Sequence, residues 1–153
     1  MDILQELRDR HEIEQTVFRW CEIVDTKDFD RLHEVFTEDA VGDYSQTNGK
    51  VMNGLAPFVE HMKTNLGPES NCGVTQHNAG NFRIGLDGDR ATSKANFYAV
   101  HLGVRARAGE TYTCWGQYED EWVRTPKGWR ISRRFYRNYM KEGNYDVVRA
   151  HVK

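Results

Sequence analysis

The stretch VTQHNAGNFRIGLDGDRATSKANFYAVHLGV, from Val74 to Val104, decides the fold. On both sides of Asp87-Gly88-Asp89 its apolar residues recur at every second position. That period belongs to a strand with one covered face, and a Gly between two Asp residues accepts the positive φ of a tight hairpin turn. Val74 to Leu86 and Ala91 to Val104 are therefore expected to pair. Two further strands follow, Glu110 to Arg124 and Trp129 to Met140, joined by the turn residues Thr125-Pro126-Lys127-Gly128. Upstream the period lengthens. Ile13, Val17, Trp20, Cys21 and Val24 recur at steps of three and four, which predicts an amphipathic helix over residues 8 to 26. Asp28 is placed to cap a second helix, with Phe29, Leu32, Val35 and Phe36 as its stripe and Thr37-Glu38-Asp39 as its end. Ala40 to Tyr44 reads as a short strand and Pro57 to Leu66 as a third helix. Helices first and long strands second make an α+β fold, a curved antiparallel sheet covered by three N-terminal helices and closed into a cone with one open end.

With 39 % hydrophobic residues and only 13 Gly and 3 Pro in 153, residues 1-153 are expected to form one domain with a real core. Lys and Arg number 21 against 23 Asp and Glu, a net charge of −2, so the clustered cation that nucleic acid requires is missing. No run approaches the roughly 18 to 20 apolar residues of a membrane helix. The acidic start Met1-Asp2-Ile3-Leu4-Gln5-Glu6 lacks the basic flank of a secretion signal, and the expected location is cytoplasmic. Cys21, Cys72 and Cys114 are odd in number and scattered, which suits reduced thiols.

Asp25 follows Val17 and Cys21 at i+4 steps and falls at the end of the first helix. There the helix dipole and burial would both raise its pKa, as suits a base or the partner of a histidine. The competing role is a solvated turn, Asp25-Thr26-Lys27-Asp28. His77 opens a strand in the polar run Gln76-His77-Asn78-Ala79-Gly80-Asn81, where buried polar groups need partners or a wet cavity. It could transfer protons near neutral pH or be a satisfied structural histidine. His101 shares its parity with Ala95, Phe97 and Ala99 and points inward if they do. In the last strand Arg130, Ser132, Arg134, Tyr136 and Asn138 form one parity set and Ile131, Arg133, Phe135, Arg137 and Tyr139 the other, and spacing does not say which is inside. The six His residues show no paired short spacing, and no phosphate-cradling glycine loop or nucleophile elbow occurs, so neither metal nor cofactor is expected.

Phe18-Arg19-Trp20-Cys21 running to Val24-Asp25, then Phe29-Asp30-Arg31-Leu32 with Val35-Phe36-Thr37-Glu38-Asp39-Ala40, resembles the SnoaL-like group of the nuclear transport factor 2-like superfamily. The likeness continues through Gln76-His77, Tyr118-Glu119-Asp120-Glu121-Trp122 and Gly128-Trp129-Arg130-Ile131-Ser132. Within that group the chain is similar to the scytalone dehydratase and hexachlorocyclohexane dehydrochlorinase branch, in which an Asp ending the first helix pairs with a His on a strand. The resemblance assigns that pair to Asp25 and His77. It implies Arg134 as a pocket arginine, with Ser132 and Tyr136 inward, and Trp20 at the position of the dehydrochlorinase lysine. It also implies Tyr44 and His101 as groups that polarise a carbonyl through water.

The expectation is a cofactor-independent lyase of the dehydratase type, with His77 removing a proton next to a carbonyl of a cyclic or polycyclic hydroxy compound while Asp25 orients it. Trp20, Phe97, Tyr98, Tyr112, Trp115, Tyr118 and Tyr136 are the candidate walls. The same pair would serve an isomerase or a cyclase, and an inert cone would make a binding or assembly module. A homo-oligomer, dimer or trimer, is expected, with no nucleic-acid or membrane partner. The tail from Gly143 to Lys153 is a candidate lid.

Overall fold

A computed structural model describes residues 2–150 of the chain. The first helix, α1 (Ile3–Thr26), begins with the Asp2 side chain accepting from the Leu4 N–H and buries the expected stripe from Ile13 to Val24. It stops at Lys27, which adopts φ +60, an unusual conformation for a residue with a side chain. The Lys27 ammonium compensates, donating to the Leu66 and Cys72 carbonyls. The end of α1, and Asp25 with it, is thereby tied to the elements on either side.

The second helix does not form as expected. Phe29–Glu34 is a 3₁₀ turn, because its two buried residues, Phe29 and Leu32, lie three apart and Asp28 makes no side-chain cap. Phe36 and Thr37-Glu38-Asp39 instead open strand β1 (Phe36–Tyr44). A four-residue helix α2 (Ser45–Asn48) and a short strand β2 (Lys50–Asn53), neither of them predicted, lead into α3 (Leu55–Leu66), which buries Phe58, Met62 and Leu66.

The four long strands follow as β3 (Cys72–Asp87), β4 (Arg90–Gly103), β5 (Thr111–Thr125) and β6 (Gly128–Gly143). Gly88 and Gly128 take positive φ at the two expected turns. The sheet runs β2-β1-β6-β5-β4-β3 and curls around the helices. It is antiparallel except at one junction, where β1 pairs with β6 in parallel.

One irregularity controls the interior. Glu121 pairs with Arg133 but Trp122 pairs with Ile131, so Ser132 is an extra residue, a β-bulge. It resets the alternation and puts Trp129, Ile131 and Arg134 on the same, buried side. Ser132 itself leaves the interior and donates to the Glu121 carbonyl, so its expected inward place is corrected. After β6 a 3₁₀ turn, Tyr145–Val148, crosses back toward the sheet. The rest of the expected lid, 151–153, lies outside the described residues. No helix among the described residues is long and apolar enough to cross a membrane.

Candidate active site

The curled sheet and α1, α2 and α3 enclose a cavity of about 90 Å³. His77 is on its wall, and Asp25 stands behind, outside the cavity. His77 Nδ1 lies 2.7 Å from Asp25 Oδ1. The same carboxylate accepts the His77 backbone N–H at 3.0 Å and the Thr75 hydroxyl at 2.8 Å. With Nδ1 engaged by a carboxylate, the ring nitrogen left for the cavity is Nε2, and in the neutral ring it carries a lone pair. Burial alone would raise the Asp25 pKa as the sequence suggested. The hydrogen bonds from the His77 ring, the His77 backbone and Thr75 outweigh it, and the carboxyl is held below its ordinary value. The expected upward shift is thus reversed by partners that only the fold supplies.

His101, on β4, meets the His77 ring edge to face at 5.3 Å between centroids. Its Nδ1–H donates to the Tyr112 carbonyl at 3.0 Å, which leaves Nε2 unprotonated. Burial, reinforced by the nearby His77, pushes its pKa down to about 3, so the ring is neutral at physiological pH.

The walls are aromatic. Tyr44 stacks on Tyr136 at 4.6 Å, Tyr136 on Phe97 at 4.9 Å, and Phe97 on Tyr118 at 4.5 Å. Trp20 closes this ladder by donating its indole N–H to the Tyr118 hydroxyl at 3.1 Å, and Tyr112 also borders the cavity. Burial raises the pKa values of Tyr44, Tyr118 and Tyr136, so all three phenols keep their protons.

Three expected site residues lie elsewhere. Tyr98 and Trp115 are cross-strand partners on the outer face of the sheet, with rings 5.3 Å apart, because their parity opposes that of Phe97 and Tyr118. Arg134 is fully buried but beneath the cavity. Its Nε and Nη2 each donate to Asp120 at 2.8 Å, and its guanidinium lies 4.0 Å from the Tyr118 ring centroid. It backs the Trp20 and Tyr118 rings without bordering the cavity, and its buried Nη1 has no hydrogen-bond partner among the described residues. Thr47, Asn48, His61 and Asn65 line the cavity and were not anticipated. His61 and Asn65 flank the apolar stripe of α3 at i, i+4, which is the one trace that they leave in the sequence. Tyr145 and Val148 bring the described part of the tail to the cavity, where the lid was expected. Among the described residues no three His, Cys, Asp or Glu side chains converge as a metal site.

A single curled six-stranded sheet covered by N-terminal helices is the fold of the nuclear transport factor 2-like class. The chain belongs to the SnoaL-like domain family, whose profile matches residues 5–135. It is 36 % identical over 131 residues to an uncharacterized protein of Mycobacterium tuberculosis, covering 84 % of each chain. The structure resembles that of a candidate aromatic ring hydroxylase from Novosphingobium aromaticivorans (30 % identity, 94 % and 98 % covered, TM-score 0.83). It also shares its fold with a candidate scytalone dehydratase from the same organism (24 % identity, 96 % and 91 % covered, TM-score 0.79).

Proposed function

We propose that the protein is a cofactor-independent lyase that dehydrates a small cyclic hydroxy-ketone. The observation carrying this reading is the 2.7 Å contact between Asp25 and His77, with the histidine on the wall of an aromatic cavity and the carboxylate behind it. His77 Nε2 takes the proton from the carbon between the carbonyl and the carbinol, and the C–H electron pair moves into the enolate. Asp25 stabilises the imidazolium that results. The enolate then collapses, the C–O bond breaks, and the departing hydroxide takes the proton back from His77. Water and the unsaturated ketone leave, and the histidine is neutral again. Tyr44 is protonated and borders the cavity, so it can donate to a developing oxyanion. His101, neutral, with an unprotonated Nε2 and beside His77, can accept a hydrogen bond from the departing water.

The cavity volume limits the substrate. About 90 Å³ is less than the void of roughly 150 Å³ that holds benzene, so even a single ring must extend into the mouth of the cavity, and a fused polycyclic system is disfavoured.

The test uses 3-hydroxycyclohexanone, with formation of the conjugated ketone followed by its ultraviolet absorbance. In parallel, cyclohexanone in deuterium oxide reports α-hydrogen exchange without needing a leaving group. Turnover and exchange that both depend on His77 support the lyase. Exchange accompanied by a shifted double bond in an unsaturated probe marks an isomerase, and no exchange leaves a binding module.

Self-association is part of the same reading. The outer face carries Tyr98, Leu102, Trp115 and Met140 together, and Met140 is 57 % exposed. Covering such a patch favours a homo-oligomer. Sedimentation at a mass well above 17.8 kDa, reduced to that value by Met140→Glu with Leu102→Glu, is the expected result.

A further inference from the structure

The α2 and α3 side of the cavity carries polar groups that the dehydration scheme leaves unused. His61 and Asn65, one turn apart on α3, border both the cavity and an outer groove formed with β2, which places them at its mouth. Thr47 also borders the cavity, and its buried Oγ1 has no hydrogen-bond partner among the described residues. The His61 ring lies 6.4 Å from that of Tyr44 on β1.

The hydrogen bonds fix the tautomer of His61. The Ala150 backbone N–H donates to Asn65 Oδ1 at 3.1 Å, so the amide oxygen faces Ala150 and the amide nitrogen faces His61. That nitrogen donates to the His61 carbonyl at 2.9 Å and lies 3.3 Å from His61 Nδ1. An amide NH₂ cannot accept, so Nδ1 carries the lone pair and Nε2 the hydrogen. Burial, helped by Lys50, lowers the His61 pKa and keeps the ring neutral. His77 and His101 have the opposite tautomer, because their Nδ1–H groups are taken by Asp25 and by the Tyr112 carbonyl. The cavity wall therefore combines ring lone pairs from β3 and β4 with a ring N–H from α3.

We propose that His61 Nε2–H receives the carbonyl oxygen of the substrate at the mouth, with Asn65 as the positioning residue that selects this tautomer. The proposal rests on the cyclic ketone reading above and deepens it. A ketone matches the polarity of the cavity, since its oxygen accepts from the N–H at the mouth and its adjacent carbon offers a proton to His77. A donor on that oxygen also stabilises the enolate. Thr47 Oγ1 extends the same polar side and favours a substrate with a second oxygen there.

The experiment uses cyclohexanone labelled with carbon-13 at the carbonyl as the probe. Nitrogen-15 NMR of the free protein should show His61 protonated on Nε2. Binding should move the carbonyl-carbon resonance downfield. His61→Leu should lose that shift and bind the ketone about tenfold more weakly, the size expected for one hydrogen bond. His61→Gln, which keeps an N–H, should restore both. Asn65→Asp, whose carboxylate accepts from Nδ1–H, should reverse the tautomer and abolish the shift. An Nδ1-protonated His61 in the wild type, or the absence of any His61-dependent shift, bound or not, overturns the proposal. The lyase reading fails separately, through absent α-hydrogen exchange in a wild type that still shows the shift.

Discussion

One carboxylate, that of Asp25, holds His77 at both its backbone N–H and its ring Nδ1. Position and tautomer of the proposed base thus depend on a single residue at the end of α1, which Lys27 in turn ties to α3 and β3.

Asp25→Asn should therefore slow α-hydrogen exchange more than it harms folding. An amide in that place can present NH₂ to Nδ1 and stabilise the wrong tautomer. The expected loss is on the order of 10²- to 10⁴-fold in exchange rate, with His77→Ala at the solvent background and both variants folded by circular dichroism. Exchange at wild-type rate in Asp25→Asn would remove the carboxylate from the mechanism.

His101 makes stability depend on pH. Its folded pKa, about 3, lies below the value near 6.5 that it has when unfolded, so the unfolded chain binds a proton that the native state refuses. This contribution is complete above pH 6.5 and is lost progressively as the pH falls from there toward 3. Urea unfolding at pH 7 and pH 4.5 should show a drop in stability that is smaller in His101→Gln.

Arg134 and Asp120 are both buried beneath the cavity, with side chains 0 % and 1 % exposed. Burial raises the Asp120 pKa and the guanidinium opposes that rise, so Arg134→Met would leave a carboxylate with no compensating charge. A loss of about 3–5 kcal/mol is expected for breaking such a pair. Most of it should return in the double variant with Asp120→Leu, measured by urea unfolding. A destabilisation below about 1 kcal/mol would show that the pair does not hold the floor.

Ser132 is the extra residue of the bulge, and the inward positions of Ile131 and Arg134 are those of a strand that lacks it. Ser132→Ala loses one partly exposed hydrogen bond to the Glu121 carbonyl and should cost about 1 kcal/mol. Deleting Ser132 leaves Ile131 and Arg134 two positions apart and both inward under strict alternation, so only the local bend of the bulge is lost and a cooperative thermal transition, shifted to lower temperature, should remain. A deletion variant with no cooperative transition would refute this reading of the register.

Where the periodicity was local, the sequence was legible. The two hairpins follow from apolar alternation interrupted by Asp87-Gly88-Asp89 and by Thr125-Pro126-Lys127-Gly128, and α1 follows from its stripe. What failed depended on partners distant in the chain. Phe36 fits a helical stripe as well as a strand, and only its pairing with Ile131 makes it a strand residue. Counting parity through Ser132 assumes an unbroken alternation, which the bulge violates. Tyr98 and Trp115 look like walls until cross-strand register places them together on the outside. Asp25 and His77 were recognisable as a pair through family resemblance, but the direction of the Asp25 shift required its partners, Thr75 and the His77 backbone, to be seen. His61 and Asn65 left only a polar i, i+4 spacing beside an apolar stripe, a pattern that most surface helices share.

The aromatic ladder has a practical consequence. Of the four tryptophans, Trp20 borders the cavity, with its indole N–H on the Tyr118 hydroxyl. Trp115 faces outward, while Trp122 and Trp129 are buried and hydrogen-bonded to Ser93 and Asp9. Ligand entry should therefore change the emission of Trp20 more than that of the other three indoles, which do not border the cavity. The protein contains its own fluorescent indicator, with which unlabelled compound collections can be screened before any reaction is known.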